Sequence, residues 1–452
     1  MIVPVDSATV SWRDALRSAI DPDRTGGRSI QLFLEHREHV RIDFVPGAAP
    51  VALRTRISGL TAHDALEYRR QVFRSAPIPE DAAAVAALAA GDRPRGSIAD
   101  ATSQAPTFPS ATRIHETRVI EAMERMARVA TAASPAVRLV GRAVASRQHV
   151  MIARPDGTDC EETRLSTRVR MMASQRRGPH LATAVVEAAL HHRATEFRGE
   201  TLDRLARALV ERVERRLDAR ELPGGRHAVV LAPGVGGILV HEIVGHALEA
   251  DAEHGWLAHA ESPVAPPGVD VIDDPRAGRA AWRVDDEGVP SRATPLIRDG
   301  RVVGRLHDRL TALRDGVPPT GHGRRSSYRE PVMPRMGCTF IASGPRDPDE
   351  LVRDVGTGVY VRRMEAAHVD SGSGRAIFRV TDADRIVAGR VCAPLDPFVM
   401  VLDGREVLAS LTDVGHDLRF DSCIGSCHRE GQSLSMTVGA PTICIGVVGV
   451  VG

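Results

Sequence analysis

His241, Glu242 and His246 stand in the run HEIVGH, the pattern HExxxH. Neutral imidazoles bind zinc through a ring nitrogen, and a glutamate beside the first can take a proton from a water on the metal. In the commoner HExxH pattern the two histidines lie one helical turn apart, on one face. Here they are five residues apart. At about 100° per residue, five steps put the second ring roughly 140° from the first, so a regular α-helix cannot aim both at one metal. A local i→i+5 turn would restore a common face, and Gly245, directly before His246, tolerates that distortion. Taken alone, the pattern fits two unrelated histidines on an ordinary helix equally well.

The elements that must position this motif are legible around it. His227–Leu231 reads as a strand, Pro233–Gly237 as a loop and Ile238–Leu248 as the helix that carries the histidines. A strand, then Gly-Val-Gly-Gly, then a helix is also the order of a dinucleotide-binding loop. Leu239 stands where the third glycine of GxGxxG belongs, and no βαβ repeat follows.

Upstream, strand-like runs at Ile30–Leu34, Val40–Val45 and Val51–Ile57 alternate with a helical stretch at Ala62–Arg74. Residues 76–113 carry five prolines among Ala, Gly and Ser and read as a loosely packed excursion, with a short helix near Ala82–Ala90. Helices are expected at His115–Ala133, Leu181–His192 and Leu202–Leu217; in the last, Leu202, Leu205, Leu209, Val213 and Leu217 repeat at three- and four-residue steps. After Gly225 short apolar runs alternate with turn dipeptides. Asp299-Gly300 and Asp403-Gly404 each predict a tight hairpin, and Thr442–Val450 a closing buried strand.

With 452 residues and 43% hydrophobic content, two domains with real cores are expected. A formal charge of +1 gives no reason to expect a nucleic-acid or membrane-surface partner. All basic side chains are arginine. The six cysteines are thinly spread, no leader-like start is present, and the longest apolar run, Ile443–Gly452, is short of the roughly 20 residues a bilayer needs. A cytoplasmic, reducing setting is expected, in which a special cysteine is a ligand or nucleophile before it is a bridge. There is no GxSxG and no phosphate-binding Walker loop.

Longer blocks decide between the readings of the motif. The run HEIVGHALEAD is followed by VDDEGVPSRATPLIRDGRVVGRLHDR (284–309), PPTGHGRRSSYREPVMPRM (318–336), DSGSG (370–374) and DSCIGSCHREGQS (421–433). Together, in this order, they resemble the TldD/PmbA family of metal-dependent peptidases, in its motif-bearing, TldD-like branch. The resemblance runs from about residue 225 to the C-terminus. The first 220 residues resemble the family loosely, and ISGLTAHDALEYRR stands where a glycine-rich strand pattern is expected.

The resemblance implies a zinc (Zn2+) site in which His241 and His246 are ligands, Glu242 is the base and Cys427, in GSCHREGQ, is the third ligand. A thiolate and two imidazoles leave a fourth position for water, which is consistent chemistry. Cys423 is the nearest rival to Cys427. His428, His254 and His259 are not expected to be ligands. Glu249 and Asp251 are either acceptors for a free ring N–H or a solvated helix end. Arg324, Arg325 and Arg335 either bind a peptide carboxylate or form ion pairs.

The expectation is therefore an α+β chain of two domains. Residues 1–222 form a mixed α/β domain, and 223–452 a β-rich domain carrying the metal-binding helix. The family likeness implies peptide-bond hydrolysis of unfolded or leader peptides, in the maturation of a ribosomally made peptide. It also implies pairing with a motif-lacking TldE (PmbA-like) paralogue in a heterodimer, with a homodimer as the alternative. The rival reading is a non-catalytic scaffold that shapes such a partner.

Overall fold

A computed structural model describes residues 12–20, 30–66, 70–77, 114–190, 197–411 and 413–451. The excursion expected at 76–113 and the short helix near Ala82–Ala90 fall outside these residues, except at positions 76 and 77.

The first half builds one antiparallel sheet from β1 (Ile30–Phe44), β2 (Val51–Leu66), β3 (Arg70–Pro77), β4 (Arg138–Ala153), β5 (Asp159–Arg177) and β6 (His180–Leu190). Its order is β3-β2-β1-β4-β5-β6. Successive strand residues point to opposite faces, so each strand serves two environments. Val40, Ile42 and Phe44 pack with Val119, Met123, Leu202 and Leu209 of the helices Glu116–Ala133 and Gly199–Leu217. On the opposite face of β1, Gln31 Nε2 donates to Asp286 O at 3.1 Å, and Glu35 Oε2 accepts from Tyr328 N at 2.7 Å. This sheet therefore rests directly on loops of the second half.

Three local readings are corrected. Leu181–His192 is not a helix: His180–Leu190 is the edge strand β6, paired with β5 along its length. Its alanines favour a helix, but Ala182, Ala184, Val186 and Ala188 bury at a period of two, and pairing overrides propensity. Ala62–Arg74 likewise continues β2 and enters β3. Asp403-Gly404 does not turn a hairpin: Asp403 caps the helix Gly404–Ala409, its side chain accepting from Arg405 N. Asp299-Gly300 does form its hairpin, with φ of 49° and 73°.

In the second half, the remaining strands are β7 (Gly225–Leu231), β8 (Val271–Asp273), β9 (Thr294–Arg298), β10 (Arg301–Val302), β11 (Gly323–Arg324), β12 (Met333–Pro334), β13 (Cys338–Ile341) and β14 (Gly358–Asp370). They are followed by β15 (Arg375–Val387), β16 (Arg390–Leu395), β17 (Phe398–Asp403), β18 (Arg419–Phe420), β19 (Gly425–Arg429), β20 (Gln432–Ala440) and β21 (Ile443–Val451). One sheet runs β10-β9-β8-β13-β20-β18, with β19 also on β20. A second large sheet runs β14-β7-β21-β17-β15-β16, the additional β14–β15 pairing closes five of these strands into a ring, and β11 and β12 pair only with each other. The chain as a whole is mixed α/β and strand-rich. Among the described residues, no helix is long and apolar enough to cross a membrane.

Between the two large sheets lies the helical segment 236–248. Leu239, Val240, Ile243 and Val244 are fully buried in one core with Val359, Phe378, Met400 and Ile443. The glycine run before it answers to packing. A Cβ on Gly237 would stand 2.5 Å from the Gly439 backbone nitrogen, and one on Gly236 2.6 Å from Ile443 Cδ1. These glycines let the helix start sit against β20 and β21.

Candidate metal centre

The helical segment is not regular. An α-turn over Gly236–Val240 passes into a π-turn over His241–Gly245 and ends in a 3-10 turn at His246–Leu248. The His246 backbone N–H bonds to His241 O, an i→i+5 bond. That is the widened turn that ligands five apart require. Wide turns leave a carbonyl to be satisfied from outside, and here Trp256 Nε1 donates to Ile243 O at 2.8 Å. Gly245 is also needed for space, because a Cβ there would lie 1.9 Å from Met336 Sδ.

The turn brings the two imidazoles into edge contact, with centroids 5.2 Å apart. Cys427 reaches them from β19, its Sγ 3.3 Å from His246 Nε2. One ligand atom from each of His241, His246 and Cys427 lies within 4.8 Å of the others. Glu242 sits at the edge of the group, its Oε2 3.8 Å from His246 Nε2. The side chains of Glu242 and His246 keep 16% and 13% exposure, whereas His241 keeps none, so the group opens on their side.

Each partner of the ring nitrogens matters for what the group can hold. His246 Nδ1 lies 2.9 Å from Glu249 Oε2, and a carboxylate only accepts, so Nδ1 carries the proton and Nε2 faces Cys427. Glu249 is itself held: Arg429 Nη1 lies 3.1 Å from Oε2, and Arg335 Nε 3.7 Å from Oε1. Arg335 Nη2 also donates to Cys427 O at 2.8 Å, tying the cysteine strand to the same carboxylate. His241 Nε2 is buried with no hydrogen-bond partner. An orphan ring nitrogen beside a thiol and a second imidazole is a donor set of the kind zinc takes, so the residues fit that metal.

Burial, with help from His246 and Arg335, holds the His241 pKa well below the usual imidazole range. Burial alone would do the same to His246, but the Glu249 charge and bonds to Cys427 and Glu249 outweigh it and raise that pKa well above the usual range. Burial also raises Glu242, opposed by His246 and reinforced by Glu249.

The other expected neighbours sort themselves plainly. Cys423 is buried outside this group, its thiol pushed up by burial and by Asp421. His428, His254 and His259 are exposed. Asp251 accepts from Arg429 Nη1 at 2.7 Å. Arg324 pairs with Asp286, and Arg325 is buried over the Phe33 ring; both belong to the seam beneath the first sheet. Sequence reasoning missed Thr339 and Asp273, which stand behind His241: Thr339 Oγ1 is 3.4 Å from His241 Nδ1 and 2.7 Å from Asp273 Oδ2. No motif announces them, since strand pairing brings them to the site.

Comparison with known proteins bears on the family and the fold. A family model described as the PmbA/TldA metallopeptidase C-terminal domain matches residues 224–452. A metalloprotease TldD homolog of Haemophilus influenzae is 35% identical over 242 residues, which are 52% of this chain and 50% of that protein. A zinc metalloprotease TldD homolog of Saccharolobus solfataricus is 27% identical over 52% of this chain and 54% of its own. The chain thus spans about half the length of the curated relatives it matches. The crystal structure of TldE from Thermococcus kodakarensis has the same fold, with TM-score 0.76 over 98% of this chain and 100% of that one at 15% identity. A match over the whole segment that holds the helix and Cys427 places the chain in the PmbA/TldD family of metallopeptidases.

Proposed function

We propose that this chain is the zinc-bearing, catalytic subunit of a TldD/TldE-type peptidase. On this reading His241, His246 and Cys427 hold the ion, Glu242 is the general base, and residues 1–222 and 223–452 work as two units. The observation that carries the reading is the meeting of those three ligand atoms, from segments about 180 residues apart, within 4.8 Å and beside a glutamate that keeps a narrow opening to solvent.

When bound, zinc supplies Lewis acidity, polarising a carbonyl and lowering the pKa of water in its open position. The chain's residues do the rest. Glu242 takes a proton from the attacking water and returns it to the leaving amine, and its raised pKa suits a group that must do both. Glu249 keeps the His246 proton on Nδ1, and Arg335 and Arg429 keep Glu249 in place. Beside Cys427, β19 pairs with β20 on one side, and among the described residues its other edge carries no strand. An extended peptide can add there through backbone hydrogen bonds with little demand on its side chains. Unfolded or leader peptides of ribosomal origin fit that mode, and a TldE-like paralogue closing the site in a heterodimer would keep folded proteins out.

The test is hydrolysis of an unstructured peptide by the zinc-loaded full chain, alone and with a TldE-like partner, in the cytoplasmic pH range. Cleavage should require the metal, disappear on chelation and return with zinc, and the active species should be a dimer by size. Cleavage unaffected by metal removal, or activity in a monomer, would overturn the corresponding part of the reading.

A further inference from the structure

The two imidazoles are not held alike. His246 is fixed by a carboxylate at the end of its own helical segment, whereas the partners of His241 come from strands of a sheet packed against that segment. Thr339 on β13 and Asp273 on β8 are directly opposed cross-strand neighbours, and both are fully buried, as is His241.

The direction of the hydrogen bonds in this chain follows from the number of protons available. Asp273 Oδ1 accepts from Gly337 N at 2.9 Å and Cys338 N at 3.3 Å, and lies 3.1 Å from His322 Nε2. Its Oδ2 has Thr339 Oγ1 at 2.7 Å. A threonine hydroxyl has one proton to give and a carboxylate has none. If Thr339 turned that proton toward His241, Oδ2 would lose its short bond inside a fully buried site, and a buried charge left without its donor is costlier than a neutral imidazole left without one. The hydroxyl therefore donates to Asp273 and can only accept from His241, so the proton of His241 sits on Nδ1. Its Nε2, the buried atom with no partner, is left as a lone pair facing His246 and Cys427.

We infer that Asp273 and Thr339 are positioning residues that lock His241 in the Nδ1–H tautomer and so set the metal affinity of the site. The inference rests on the reading of His241 as a ligand. It makes an unusual prediction for the isosteric change Asp273→Asn. An amide nitrogen at Oδ2 would donate to Thr339 Oγ1 and turn the threonine proton toward His241 Nδ1. The ring would then carry its proton on Nε2, where the ligand lone pair is needed.

The experiment is zinc affinity of the full chain by competition with a chelator, using zinc alone as the probe. Thr339→Val should weaken binding about 10- to 100-fold, the usual range for an outer-shell partner of a metal ligand. Thr339→Ser, which keeps the hydroxyl and loses only the methyl, should restore binding to within about threefold of wild type, because the acceptor is retained. Asp273→Asn should weaken binding at least as much as Thr339→Val; if that variant fails to fold, the serine and valine pair still decides. Wild-type affinity in Thr339→Val, or equal losses in the serine and valine variants, would overturn the lock while leaving the ligand assignment standing. Failure of the wild-type chain to bind zinc at all would overturn the ligand assignment and the lock with it.

Discussion

Cys427→Ser is expected to lose zinc at stoichiometric concentrations and to lose peptide hydrolysis, while Cys423→Ser keeps both. Two imidazoles leave zinc short of the three protein ligands usual in a catalytic site. The Cys427 sulfur lies 3.3 Å from His246 Nε2, and its backbone carbonyl is pinned by Arg335. On zinc a thiol is bound as the thiolate, which a hydroxyl near neutral pH does not match. Cys423 sits away from the ligand group, with Asp421 beside it. Metal content per chain after gel filtration reads the outcome directly. Loss of metal from the Cys423 variant alone would identify the wrong cysteine here. If neither variant lost it, an oxygen of Glu249 would have to take the third place, against its present engagement with His246, Arg429 and Arg335.

Glu242→Gln should separate binding from chemistry. The amide has the shape of the acid but cannot take up a proton, so zinc should stay bound while hydrolysis falls by about 10²-fold or more, within the 10²–10⁴ a positioned acid or base contributes. The position of Glu242 is the reason to expect both halves of that result. It follows His241, it is partly open where that histidine is closed, and burial raises its pKa above the usual carboxylate range. Near-normal turnover in the zinc-loaded variant would remove Glu242 from the mechanism. Loss of the metal instead would recast it as a ligand.

How far the sequence speaks for itself differs from one residue to the next. The spacing of His241 and His246 is informative because it conflicts with a regular helix, and the conflict forecasts the π-turn that separates them. The strand before the helix and the hairpin at Asp299-Gly300 were legible from local pattern. The helices on the first sheet are legible too, but β6 has the local pattern of a third one. Its alanines carry a helical propensity, and nothing nearby in sequence reveals β5 waiting to pair with it. Asp403-Gly404 misled for a related reason, since the same dipeptide that turns a hairpin also starts a helix. Cys427 could be singled out through the resemblance alone; no spacing rule links it to His246. Thr339 and Asp273 were beyond reach altogether. Each is an ordinary strand residue until β8 and β13 pair and bring both side chains behind His241. Local chemistry is written in runs of neighbouring residues, and support for it across sheets is not.

The central claim is that one metal is held by two nitrogens that a π-turn brings together and one sulfur of β19. X-ray absorption at the zinc edge, on the full wild-type chain loaded with one equivalent of zinc, addresses it without any assay of activity. The expected result is one sulfur at about 2.3 Å and two imidazole nitrogens at about 2.0–2.1 Å, with lighter scatterers completing the shell. A shell of nitrogen and oxygen with no sulfur, or zinc that washes out of the wild-type chain, would contradict it.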